Sequence, residues 1–124
     1  MKLHIDDSKT IKEIQDEFIN VFKYIKIEFF NKAHKEGEGS AKKDLIEHSK
    51  KLGEIRTIHN EGDLIITKEM RVSDVEDSFE EKFGIHAQVF RKQNRVWLLT
   101  TNSDSWTLEE QIETAKEMDK PVED

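Results

Sequence analysis

"TIKEIQDEFINVFKYIKIEFFNK" (residues 10–32) and "RVSDVEDSFEEKFGIHAQVFRK" (residues 71–92) carry one pattern twice. Ile11, Ile14, Phe18 and Phe22 in the first match Val72, Val75, Phe79 and Phe83 in the second. Steps of three, four and four residues put each set on one stripe of an α-helix. Each stripe is followed by alternation, Ile25, Ile27, Phe29 in one copy and Ile85, Ala87, Val89 in the other, which is the period of a half-buried strand. A short apolar run precedes each helix, "LHI" (3–5) and "DLIIT" (63–67). Two β-α-β units in series therefore predict an α+β ferredoxin-like sandwich, with both helices on one face of an antiparallel sheet.

The ends of the helices are marked by chemistry as well as period. Thr10 with Glu13 and Ser73 with Glu76 have the spacing of a capping box, in which hydroxyl and carboxylate satisfy first-turn amides reciprocally. Gly84 suits a left-handed exit from the second helix. Lys23 stands at the comparable place in the first, so that exit needs another geometry.

Working outward, "QVFRKQNRVWLLTT" (88–101) reads as a hairpin around Gln93-Asn94 with an added strand at 95–101. "TLEEQIETAKEM" (107–118) reads as a helix capped by Thr107 and Glu110. It lacks the aromatic stripe and is expected to be an appendage. "NKAHKEGEGSAKKD" (31–44) has the composition of a mobile polar loop, and "LIEHSKKLGEIRTIHNEG" (45–62) suggests one helical turn and a short strand at 54–58. The expected layout is a single domain over 1–124: repeat units 2–31 and 63–92, a loop-rich insertion 32–62, a C-terminal strand and helix within 95–118, and a flexible tail 119–124. A long insertion in a compact domain is commonly functional.

The 124 residues contain no cysteine, which removes disulfide frameworks and thiolate metal sites and fits a cytoplasmic setting. "MKLHIDDSKT" has no apolar leader, and no apolar run approaches a membrane span, so neither export nor a membrane is expected. The net charge is −7 and unevenly spread: residues 32–56 hold seven Lys/Arg against five Asp/Glu, residues 57–124 eight against sixteen. Such an acidic second half repels phosphate backbones, making nucleic acid an unfavoured partner. RNA-recognition sheets also use an aromatic platform, but the K/R-G-F/Y-G/A-F-V-x-F/Y string is absent.

Alternation assigns Ile25, Ile27, Phe29, Ala87, Val89 and Leu98 to the face under the helices. The opposite face receives Tyr24, Phe30, Ile65, His86, Phe90, Trp97 and Leu99, with Phe90 expected opposite Trp97 across the hairpin. That face is too apolar for water. Three things can shield it: the C-terminal helix folded back, a second copy of the chain, or another partner. The first would make both Trp97 and Trp106 packing residues. The candidate interaction surface is Tyr24, Phe30, His86, Phe90, Trp97 and Leu99.

No constellation demands catalysis. The five histidines lack ligand spacing, and His4 and His86 are the only pair expected on one sheet face, so no metal is assigned. "KEGEGSAKKD" combines glycines and lysines without the spacing of a phosphate loop. "NSDSW" (102–106) holds Ser103, Asp104 and Ser105 without a nucleophile elbow, and a strand-to-helix turn accounts for them. The carboxylates Glu80, Glu81, Glu109, Glu110, Glu113 and Glu117 fall on solvated helix faces. Catalytic and cofactor-binding residues are therefore expected to be none.

"FEEKFGIHAQVFRKQNRVWLLTT", "DSWTLEEQ" and "KKLGEIR" resemble a small family of uncharacterised bacterial proteins. The resemblance implies a bacterial cytosolic protein and carries no activity, cofactor or catalytic residue. The reading that results is a non-catalytic protein-interaction or regulatory module, able to self-associate. A small-ligand binder or small enzyme with a pocket at the sheet end near His86 and Tyr24 is the alternative, and RNA binding comes third.

Overall fold

The computed structural model describes residues 1–31 and 42–119; the body of the expected polar loop and the last five residues of the tail lie outside them. Five strands and four helices follow in the order β1 (Lys2–Ile5), α1 (Ile11–Val21), β2 (Ile25–Phe30), α2 (Leu52–Ile55), β3 (Gly62–Ile65), α3 (Val72–Phe83), β4 (His86–Gln93), β5 (Val96–Leu99) and α4 (Leu108–Met118). The fold is α+β. Its strands form two antiparallel sheets: a ribbon of β1 and β3, and a three-stranded sheet ordered β2-β4-β5.

Both repeat helices stand where the stripes put them, and Ile11, Ile14, Phe18, Val72, Val75 and Phe79 are wholly buried. Their inner rings meet those of the strands in one core that includes Leu3, Ile5, Leu64, Ile66, Ile25, Ile27, Phe29, Ala87 and Val89. Phe29 of β2 and Phe79 of α3 pack edge to face, with ring centroids 5.3 Å apart at 77°. Burial of about 25 cal/mol per Å2 over such side chains drives the assembly.

The single sheet expected from the β-α-β pattern is split: like strands pair with like, both times antiparallel, and among the described residues no ladder joins the two sheets. β1 pairs with β3, Lys2 opposite Ile65 and His4 opposite Asp63. β2 pairs with β4, Ile25 opposite Arg91 and Phe30 opposite His86. Superposing the repeats turns Lys2 into Asp63, His4 into Ile65, Ile25 into His86 and Phe30 into Arg91, so both ladders are unchanged when the units are exchanged. That is a twofold relation between the copies.

The relation extends further than the sequence pattern shows. Ile11 N donates to Lys50 O at 3.0 Å and Val72 N to Trp106 O at 2.9 Å; Leu52 N donates to Lys9 O and Leu108 N to Met70 O, both at 2.9 Å. Gly53 N to Asp7 O (3.1 Å) and Glu109 N to Lys68 O (3.0 Å) complete the match. Hence α4 is no appendage. It is the second copy of α2, and Leu52 and Leu108 are the shared fully buried anchors. No strand forms at 54–58 among the described residues; Leu52–Ile55 is a helical turn and the chain then runs irregularly to β3.

Local geometry bears out two of the expected helix ends and corrects a third. Thr10 and Glu13 do form a capping box, Glu13 N donating to Thr10 Oγ1 at 3.2 Å. At α3, however, the helix starts at Val72, and Arg71 N donates to Asp74 Oδ2 at 3.0 Å. Ser73 N goes instead to Asp104 O, which frees Glu76 for the interior. Gly84 has the expected left-handed exit (φ 66°), while in the first copy Tyr24 takes that conformation at φ 72°.

Candidate functional site

The outer face of the β2-β4-β5 sheet is built from alternate residues: Lys26, Glu28 and Phe30 on β2, His86, Gln88 and Phe90 on β4, and Trp97 and Leu99 on β5. The hairpin turns at Asn94-Arg95, with Asn94 at φ 56°, a conformation asparagine tolerates well. Gln93 therefore pairs with Val96, Lys92 with Trp97 and Phe90 with Leu99. The expected opposition of Phe90 and Trp97 becomes a diagonal. The alternation survives, so both rings share the face, and the Lys26 ammonium lies over each, 5.4 Å from the Phe90 centroid and 5.0 Å from that of Trp97.

Helix α4 does not shield this face. It packs on β4 and β2 from the helix side, where Gln111 Oε1 accepts from Arg91 Nη1 at 2.9 Å and Leu108 joins the core. Arg91 alternates with Val89 and Ala87, so the contact is with the inner surface. Trp106 sits at that margin, 38% exposed, with the Arg91 guanidinium 5.7 Å from its ring. Neither tryptophan is a core residue: Trp97 is half-buried and its neighbours Val96, Leu98 and Leu99 are exposed.

Of the six expected surface residues, Phe30, His86, Phe90, Trp97 and Leu99 share the outer face. Tyr24 lies just before β2, its carbonyl accepting from Lys92 N at 2.8 Å. It stands at the end of β2 that pairs with Arg91, and His86 at the end that pairs with Phe30, so Tyr24 and His86 lie at opposite ends of that strand pair. Ile65 belongs to the other sheet, 56% exposed on β3. His4 is also on that ribbon, so the pair His4 and His86 does not share a face.

The centre of the outer face is polar. Glu28, 6% exposed, lies 3.4 Å from Lys26 Nζ and 3.1 Å from His48 Nε2. Gln88, opposite Glu28, is 1% exposed, yet neither its carboxamide oxygen nor its nitrogen has a hydrogen-bond partner among the described residues. His86 Nδ1 is likewise without a hydrogen bond; its nearest acid, Glu80, is 3.5 Å away. Beside these groups opens a cleft of about 270 Å3 lined by Lys26, Glu28, Phe30, Lys42, Leu45, Phe90 and Leu99. Lys26 and Lys42 give it a cationic rim in a chain that is acidic as a whole.

Two other polar constellations were not legible from spacing. Arg56, its side chain wholly buried, donates through Nε and Nη2 to Asp7 Oδ1 (3.0 and 2.8 Å) and through Nη1 to Asn60 Oδ1 and Phe83 O. His59 Nδ1 donates to the other Asp7 oxygen at 2.8 Å. Burial pushes the Asp7 carboxyl up, and the hydrogen bonds from Arg56 and His59 outweigh it, leaving it below the usual range. This is a structural tie joining the β1-α1 turn to the end of α3. On the β1-β3 ribbon, His4 Nδ1 donates to Asp63 Oδ1 (3.1 Å) and Nε2 faces Asp6 Oδ2 (3.2 Å), with Glu61 alongside. His4, Asp6 and Glu61 have the ligand types for a divalent ion, but the group is largely open to solvent, as exposed acidic groups without an ion commonly are.

These features define an α+β protein of two antiparallel sheets and four helices, bearing a mixed aromatic and basic sheet face. No protein-family model matches the chain, and no curated protein or solved structure is significantly similar to it. Among the described residues no helix is long and apolar enough to cross a membrane.

Proposed function

We propose that this protein is a non-catalytic, cytosolic interaction module whose contact surface is the outer face of the β2-β4-β5 sheet: Phe30, Phe90, Trp97 and Leu99 around Lys26, with His86 at the margin. One observation carries the reading. Among the described residues α1, α3 and α4 pack on the inner side of this sheet, and while the segment around Lys42, Leu45 and His48 runs beside the buried Phe30 and Glu28, the strip on β4 and β5 keeps solvent access at an edge strand. A rim of lysines around buried rings is the composition of recognition surfaces, which combine apolar anchors with peripheral charge.

The reading is tested in the cells that make the protein, by comparing the proteins cross-linked to the wild type with those cross-linked to Trp97→Ala and Phe90→Ser. Specific partners lost in both variants, with folding intact by circular dichroism, support it. An unchanged set for both folded variants removes it.

A second reading is favoured by the unmatched Gln88 carboxamide beside the 270 Å3 cleft: a small apolar anion, held by Lys26 and Lys42 against Phe30 and Phe90. A thermal-shift screen of aromatic and aliphatic carboxylates separates the two, since a specific ligand raises the melting temperature by mass action.

A further inference from the structure

The geometry points to self-association through the free edge of β5, two copies joining their three-stranded sheets into one. The inference goes beyond the interaction-module reading: it concerns the backbone edge of β5 rather than the outer face, and names a second copy of this chain as what pairs with it.

Hydrogen-bond parity supplies the first argument. Along an antiparallel ladder, alternate residues turn their amide and carbonyl groups toward one neighbour and then the other. Thr100 N donates to Val89 O at 3.3 Å, and Lys92 N donates across the opposite edge of β4 to Tyr24 O at 2.8 Å. Lys92 thus faces β2, and its partner Trp97 is in a non-hydrogen-bonded pair with it. It follows that Val96, Leu98 and Thr100 turn their backbone groups toward β4, whereas Trp97 and Leu99 turn theirs outward. Among the described residues no strand pairs with that edge.

The second argument is self-complementarity. A twofold axis at Leu98 sets Trp97 of one copy opposite Leu99 of the other, twice, so the outward groups of both residues are satisfied reciprocally. The side chains suit contact on both faces, with Val96 56%, Leu98 36% and Leu99 40% exposed. An open edge of this kind, apolar on each face and lacking proline or an inward charge, is a template for strand addition.

Charge selects the partner and its direction. The hairpin that starts β5 carries Lys92 and Arg95, and Asp104 follows its end. Antiparallel pairing of two copies brings each cationic start to the other's anionic end, and parallel pairing would set like beside like.

The test is sedimentation of the full chain from about micromolar to about millimolar concentration, with amide exchange read at Trp97 and Leu99. Concentration-dependent dimerisation is expected, with protection of those two amides growing in step. Leu98→Lys and Leu98→Glu place like charges face to face at the axis, so each alone weakens dimerisation about tenfold or more, and an equal mixture restores it. Leu99→Pro removes an amide that the fold itself does not use and has the same effect as either single charge.

A dimer that survives all three variants, or in which the Trp97 and Leu99 amides stay unprotected, overturns the inference. So does a chain that stays monomeric throughout. In that last case, free acrylamide quenching of Trp97 leaves the interaction module standing, and a shielded Trp97 removes both.

Discussion

Gln15 and Glu76 occupy corresponding positions in the two repeats, and each ties its helix to the strand that follows. Gln15 Nε2 donates to Ile27 O at 2.7 Å; Glu76 Oε2 accepts from Val89 N at 2.9 Å. The copies thus solve one packing problem with a neutral amide and with a carboxyl. The carboxyl is the costlier choice, because desolvation by burial pushes Glu76 up to about 8, aided by Asp104 and Asp77 and opposed by the Val89 hydrogen bond.

The sign of the pH dependence follows. A carboxyl whose folded pKa lies above its ordinary 4.5 adds no penalty below that value, and costs stability progressively as pH rises to about 8. Glu76→Gln is expected to match the wild type near pH 4.5 and to exceed it by about 2–4 kcal/mol at pH 9, read by urea unfolding at both pH values. Equal stability of the two proteins at pH 9 would contradict the buried-acid account.

At the acid end the slope reverses. The hydrogen bond from His4 chiefly holds Asp63 below the usual 3.8, and that from Ser8 does so for Asp6. The stability these groups contribute is present above 3.8 and is lost as pH falls through their lower folded values. Asp63→Asn should flatten the unfolding curve below that pH and leave the alkaline limb untouched.

Arg56 is predicted to be the most sensitive charged residue. Arg56→Ala removes two hydrogen bonds to Asp7, which keeps that from His59, and strands the carbonyl of Phe83, and should cost about 2–3 kcal/mol. Arg56→Met, which fills the space, should cost less, since the matching place in the second copy is Ile112. Chemical denaturation of both variants checks the order.

Gly53→Ala probes the copies directly. A Cβ there would meet Asp7 Cβ at 2.9 Å, so about 1–3 kcal/mol of destabilisation is expected. At the corresponding Glu109 a full side chain is accommodated and lies 3.6 Å from Lys68. Glu109→Ala should therefore change the urea midpoint little, as exposed pairs contribute at most about 1 kcal/mol.

The outer face makes an optical prediction. With Trp106 replaced by Phe, the remaining Trp97 should be quenched by acrylamide in dilute protein, and Lys26→Ala should shift its emission by removing the ammonium 5.0 Å from the ring. Emission that is blue and unquenched at low concentration would show that something covers the strip.

Helix stripes and strand alternation were legible because they are local: a run of Ile, Phe and Val at spacing three and four has one amphipathic solution, whatever surrounds it. The side-chain faces of Phe30, His86, Phe90, Trp97 and Leu99 followed from the same alternation, and a shift of the hairpin by two residues did not disturb them. Lost at that level were contacts made by isolated residues. Arg56 meets Asp7, and His4 meets Asp63, across gaps of chain that carry no period.

Residues 10–32 and 71–92 thus determined by themselves that there are two copies of a helix between strands, where each buries its stripe, and which strand positions turn away from the helices. The tertiary structure decided that β1 chooses β3 and β2 chooses β4, that α4 repeats α2, and that α4 packs on the inner side of the sheet rather than on its outer face. The alternation in β1, β2 and β4 does not distinguish one partner from another, so the partner is selected by which free edges meet once the shared core closes. That is a property of the whole assembly, which no single segment encodes.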